Sequence, residues 1–201
     1  MKLKRVGAIA FFVIAGHCCA NPILDQSFIP PIRNFVLAGC CSAAQTFTVG
    51  IAGTLAQVNL DLYDLRDAIG RGPTLQIVRT VSGAPSDNSL DTLATVALPT
   101  VESPQLLAVD LSSFGIGVSV GELLAIEIFG SFDWIAGSGY PGGMAFDDGV
   151  SGSPTQPLPN LDLGFQTFVP EPATVTLLGL ALAGLGIARK RSPGRQSPAV
   201  F

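Results

Sequence analysis

The sequence predicts an all-β fold: an antiparallel, jelly-roll-like β-sandwich flanked by an N-terminal signal helix and a C-terminal transmembrane helix. Three observations carry this. Apolar and polar residues alternate with a period of two in several short stretches, the pattern of half-buried strands. Gly- and Pro-rich turns separate these stretches, and many short strands between such turns indicate a sandwich or barrel. No fixed-period repeat is present, which argues against a solenoid or propeller.

At the N-terminus, Lys2, Lys4 and Arg5 precede an apolar run over residues 6–16, and Cys18-Cys19-Ala20 places small residues before Asn21. That order reads as a secretory signal peptide, residues 1–20, cut between Ala20 and Asn21. A secreted domain over residues 21–168 comes next. A short strand is expected at residues 45–49. Ala56, Val58, Leu60 and Leu62 alternate with Gln57, Asn59 and Asp61 in a clear half-buried strand. Residues 61–69 are the one stretch able to make a helical turn, which Gly70-Arg71-Gly72-Pro73 would stop. Further strands are expected around Leu75, Ile77 and Val78, then at residues 92–98, 106–111 and 123–129. Residues 137–159, rich in Gly, Ser and Pro, read as a long surface loop. Leu161, Leu163 and Phe165 alternate with polar residues and Gly in a closing strand. Six to eight strands result.

The C-terminal end has its own order. Val169-Pro170-Glu171-Pro172 precedes an uncharged apolar run over residues 173–188, and Arg189-Lys190-Arg191 comes directly after it. The run would give about 24 Å of helix, against a hydrocarbon core of ~30 Å. It is just long enough to insert, and the basic triad would stay cytoplasmic by the positive-inside rule. The domain would then lie on the outer side, as the signal peptide also requires. Residues 192–201 read as a disordered cytoplasmic tail.

Charge is segregated along the chain. The net charge of −4 combines basic ends with an acidic middle, where four Arg against fourteen acids leave −10 and no Lys occurs. Such a surface repels phosphate backbones and disfavours nucleic acid. Removal of the signal would leave two of the four Cys, the adjacent Cys40 and Cys41. Neighbouring cysteines close almost no loop, so no disulfide framework is expected, and two reduced, partly buried thiols are the favoured reading.

The tail, in its order of motif, apolar run and basic stop, resembles the tripartite tail of bacterial PEP-CTERM proteins over residues 169–191. The resemblance implies recognition of Val169, Pro170, Glu171 and Pro172 by an exosortase, a membrane protease-transpeptidase. It also implies a Gram-negative host that makes exopolysaccharide, and delivery to the cell surface or extracellular matrix. This chain runs ten residues past the basic cluster, whereas family tails usually stop sooner.

Candidates for chemistry in the domain are few. The single histidine, His17, lies in the signal, so no Ser-His-Asp or Cys-His arrangement can form in the remainder. A carboxylate pair, the glycosidase device, could be drawn from Glu122, Glu127, Asp133, Asp147 and Asp148. Asp147 and Asp148 with Asp25 are candidate ligands for a structural calcium ion, a cation that takes oxygen donors. Trp134 and Tyr140, beside a Gly-rich loop, are candidate stacking platforms for a sugar. The expected role is a non-enzymatic structural component of the exopolysaccharide or biofilm matrix. The alternatives are a carbohydrate-binding module and a two-carboxylate hydrolase. No cofactor beyond calcium is called for.

Overall fold

The computed structural model describes residues 22–33, 35–66, 72–147 and 154–170, with the side chains of residues 39 and 40 excepted. The signal peptide, the run at 173–188, the basic triad and Asp148 lie outside the described residues.

Within them the chain is built from strands: β1 (Pro22–Phe28), β2 (Val36–Thr48), β3 (Gly53–Thr54), β4 (Gln57–Arg66), β5 (Thr74–Val81), β6 (Ala84–Pro85) and β7 (Thr92–Ala97). The later strands are β8 (Gln105–Asp110), β9 (Gly117–Val118), β10 (Leu123–Gly137), β11 (Ala145–Asp147), β12 (Gln156–Leu158), β13 (Asp162–Leu163) and β14 (Phe165–Pro170). Single 3₁₀ turns occur at Ser89–Asp91 and Ser112–Phe114. The ladders are antiparallel. They join twelve strands into one network, with β3 and β9 as a separate ribbon.

The organising element is β10. One of its edges pairs with β2 from Leu123↔Thr48 to Ile135↔Val36. The other edge is shared, first by β5 (Leu124↔Arg79 to Phe129↔Thr74) and then by β4 (Ser131↔Arg66 to Trp134↔Leu62). The handover falls at Gly130, whose φ of 147° lies in a region that favours glycine. A Cβ there would come 3.2 Å from both the Arg66 carbonyl oxygen and Pro73 Cβ. Its ladder partner Cys41 also has positive φ, 106°. The two long strands therefore bend together where the sheet changes partners.

The core is continuous across this bend. Leu75 and Ile77 of β5, Leu60 and Leu62 of β4, and Leu124, Ile126, Ile128 and Trp134 of β10 belong to one buried cluster. Burying such side chains is the main favourable term in folding.

Two expectations need correction. The stretch expected as a helical turn is strand through Arg66, because Leu62 and Leu65 are fully buried. Leu65 also exchanges backbone hydrogen bonds with Val101, at 2.9 and 2.8 Å. The stretch expected as a long loop contains β11 and β12. Ala145 and Phe146 are buried, and β11 adds to the free edge of β2. Gly143 permits that approach, since a Cβ there would lie 1.9 Å from the Thr46 carbonyl oxygen. Among the described residues no helix is long and apolar enough to cross a membrane.

Candidate sorting site

The tail motif begins inside the fold. β14 lies between β1 and β4, and its alternation is strict: Phe165, Thr167 and Val169 are fully buried, while Gln166, Phe168 and Pro170 are half-buried. Phe165 packs its ring against Phe47 and Tyr140, with centroids 5.9 and 5.2 Å away. Thr167 Oγ1 accepts from the Gln26 amide at 3.1 Å. Val169 closes the series, beside Gly53 of β3. The first residue of Val169-Pro170-Glu171-Pro172 is thus a core residue, and the second is the last of a strand.

β1 brings the other end of the domain to the same point. Pro22 is in register with Pro170, and Ile23 with Val169. Neither proline has an N–H to donate to the ladder. Partners across an antiparallel ladder sit about 5 Å apart. Pro22, the second residue after the expected cleavage between Ala20 and Asn21, and Pro170, in the sorting motif, therefore lie side by side.

Residues 168–191 match the family model of the PEP-CTERM protein-sorting motif. The tail is a PEP-CTERM sorting signal. This implies export, membrane anchoring before cleavage, and processing by an exosortase, itself a membrane protein. The PEP-CTERM tail covers 24 residues of the 201, so it says where the protein goes and leaves the cargo to be read from its own residues. A search of curated proteins finds no match to the chain.

The expected sugar platforms are corrected by their burial. Trp134 is 0 % exposed, and its indole N–H donates to the Gly164 carbonyl at 2.8 Å. Tyr140 is 8 % exposed, is packed on Phe28 and Phe165, and donates its hydroxyl to Gln26 Oε1 at 3.0 Å. Burial pushes its phenol up to about 12, so it stays a donor. Neither ring offers a face to a ligand. Asp162, which the sequence did not single out, fixes this loop by accepting the Gly139 and Tyr140 amides at 3.0 Å each.

Of the expected calcium ligands, Asp25 and Asp147 are not brought together, and Asp148 lies outside the described residues. Asp25 sits at a bulge in β1, where Oδ1 accepts the Gly50 and Ile51 amides at 3.0 and 2.6 Å. Asp147 is in register with Ala43, seven residues back along β2 from Gly50, roughly 20 Å of extended chain. Among the described residues no three His, Cys, Asp or Glu side chains converge on one point.

The candidate carboxylates also separate. Glu122 pairs with Arg79 at 3.0 Å. Asp133 faces Asp64 across the β10–β4 ladder, where Arg66 pairs with Asp64. Glu127 is different. It is 4 % exposed, opposite Gln76 and Ala44, and lines a cavity of about 170 Å³ together with Asp87. Of the other candidates, Glu122, Asp133 and Asp147 do not line that cavity. Burial, and secondarily the charge on Asp87, push the Glu127 carboxyl up to about 7.

Proposed function

We propose that this protein is an exported, non-enzymatic structural component of the cell surface or exopolysaccharide matrix. In this reading the N-terminal signal carries it through the inner membrane of a Gram-negative cell. The PEP-CTERM helix holds it there until an exosortase-like enzyme acts. We infer further that the two halves of the sheet, bent at Gly130 and Cys41, face each other as a jelly-roll-like sandwich, as their shared core supports.

One observation carries the proposal: the PEP-CTERM motif continues β14 without a spacer, beside the strand that succeeds the expected signal cleavage point. A domain tethered in this way presents both membrane-directed ends at one place. The acidic surface and the lack of Lys in the domain suit a soluble life outside the cell.

The test of sorting is Glu171→Ala in the native host. The variant should accumulate uncleaved in the membrane fraction, and unchanged release would refute exosortase handling. Association with polysaccharide is tested separately, by co-sedimenting the released protein with the host's own exopolysaccharide. Failure to sediment would leave the sorting intact and remove the matrix role.

A further inference from the structure

The three described arginines are each engaged. Arg33 pairs with Asp61, Arg66 with Asp64 and Arg79 with Glu122. Other acids are held by hydrogen bonds: Asp25 and Asp162 accept pairs of backbone amides, and Asp91 accepts the Ser86 hydroxyl at 2.6 Å. Glu127 has neither device. Among the described residues no hydrogen bond or ion pair engages its carboxyl, although it is more than nine-tenths buried in the middle of the sheet. Among the described residues no fully buried side-chain oxygen lacks a partner, so the Glu127 carboxyl keeps its access to the cavity beside it, where an ion could meet it.

What faces it is mostly oxygen. The cavity beside Glu127 is lined by Gln76 from β5, by Ser86, Asp87, Asn88 and Ser89 from the segment between β6 and β7, by Thr92 at the start of β7, and by Phe129 and Pro154. Among the described residues this wall offers two carboxyls, two side-chain amides and three hydroxyls, and no Lys, Arg or His. The loop is also organised before any ligand arrives. Asn88 Oδ1 caps the 3₁₀ turn by accepting the Leu90 amide at 3.1 Å, and Ser86 Oγ accepts the Asn88 amide at 3.3 Å.

We propose that this cavity, between Glu127 on β10 and the loop of residues 86–92, binds a hard divalent cation of the calcium class. Calcium takes six to eight oxygens in flexible geometry, from carboxylates, amide carbonyls and water. Magnesium demands a tight octahedron and gives up its waters reluctantly, so it fits this assorted wall less well. The cation supplies the charge that Arg33, Arg66 and Arg79, each paired with another acid, do not bring to Glu127 and Asp87. With two carboxylates in place of three or four, the site belongs to the weak range of extracellular modules, with Kd about 0.1–1 mM. The bound ion would tie the loop of 86–92 to the central strand and so make the folded domain depend on the cation content of its surroundings.

The experiment uses the full-length chain in detergent, with calcium chloride as the probe, read by equilibrium dialysis and by thermal unfolding. One ion should bind in the stated range and raise the Tm. Glu127→Gln should weaken binding at least tenfold while unfolding no earlier than wild type in chelator, which separates lost ligation from lost folding. Asp87→Asn, on the loop, should weaken binding severalfold. Equal binding by wild type and Glu127→Gln, or no saturable binding at tenfold above that range, would overturn the site. Equally tight magnesium binding would overturn the assignment to calcium.

Discussion

Trp134 shows how much a single side chain can mislead when only its neighbours in sequence are visible. Its place beside Gly137 and Gly139 suggests exposure, yet its indole is enclosed in the core and bonded to Gly164, thirty residues onward. Trp134→Ala should therefore act on stability and not on saccharide affinity, with a loss of about 3–5 kcal/mol from the cavity left behind. Urea unfolding checks this. A variant as stable as wild type would contradict the burial. Glu127 gives a second prediction at this scale. Its pKa rises from 4.5 to about 7 on folding, so between these values the folded chain binds more protons than the unfolded one. Its contribution to stability is therefore full below about pH 4.5, falls as pH rises, and is lost above about 7. That swing is at most roughly 3 kcal/mol. Glu127→Gln should flatten it, measured as the difference between wild type and variant in urea unfolding at pH 5 and pH 8 with chelator present. Parallel pH dependences in the two proteins would refute the raised pKa.

At the scale of elements, strands that alternate or run apolar in their own residues were legible, and strands that depend on partners or on a glycine bend were not. Residues 56–62 alternate cleanly because β4 has a core side and a covered, polar-bearing side. Residues 123–129 were readable as a continuous apolar run, but β10 continues eight residues further. Gly130 and Ser131 break the run in sequence, while in space the glycine only bends the strand. β1 carried no signal because it is an edge strand with no fully buried residue. Such an edge needs protection from pairing with other chains, and a bulge with a charged residue supplies it. Asp25 does this at the bulge between Leu24 and Gln26, and its carboxylate also clamps the turn after β2. Asp25→Ala should cost about 2 kcal/mol, the scale of hydrogen bonds to a charged group. Hydrogen exchange at the Gly50 and Ile51 amides should accelerate with it. Unchanged protection at both amides would mean that the carboxylate is not what holds them. The meeting of Glu127 with Asp87 was equally hidden. The two are forty residues apart, and a strand and a turn come together there only because β5 and β10 are ladder partners.

At the scale of the molecule, the sorting signal was fully legible because it is a linear pattern read by another protein, and its meaning does not wait on folding. The structure adds where that pattern starts. Val169 is packed and Pro170 is the last residue of β14, so the first two residues of the motif belong to the folded domain. The burden of holding the chain in the bilayer then falls on residues 173–191. An apolar run of 16 residues reaches about 24 Å, short of a ~30 Å core, so apolar length alone holds it weakly. In the proposed topology Arg189, Lys190 and Arg191 would compensate, since each resists being drawn through the membrane and together they would fix the cytoplasmic end. In that topology the acidic domain, at −10, would oppose retreat in the same sense. Neutralising all three basic residues, most simply to Gln, should therefore lower the yield of membrane-held precursor even with the Pro-Glu-Pro motif intact. Carbonate extraction of membranes in the Glu171→Ala background isolates that step from processing. If the precursor resists extraction equally with and without the triad, the apolar run suffices and the basic residues are not its anchor.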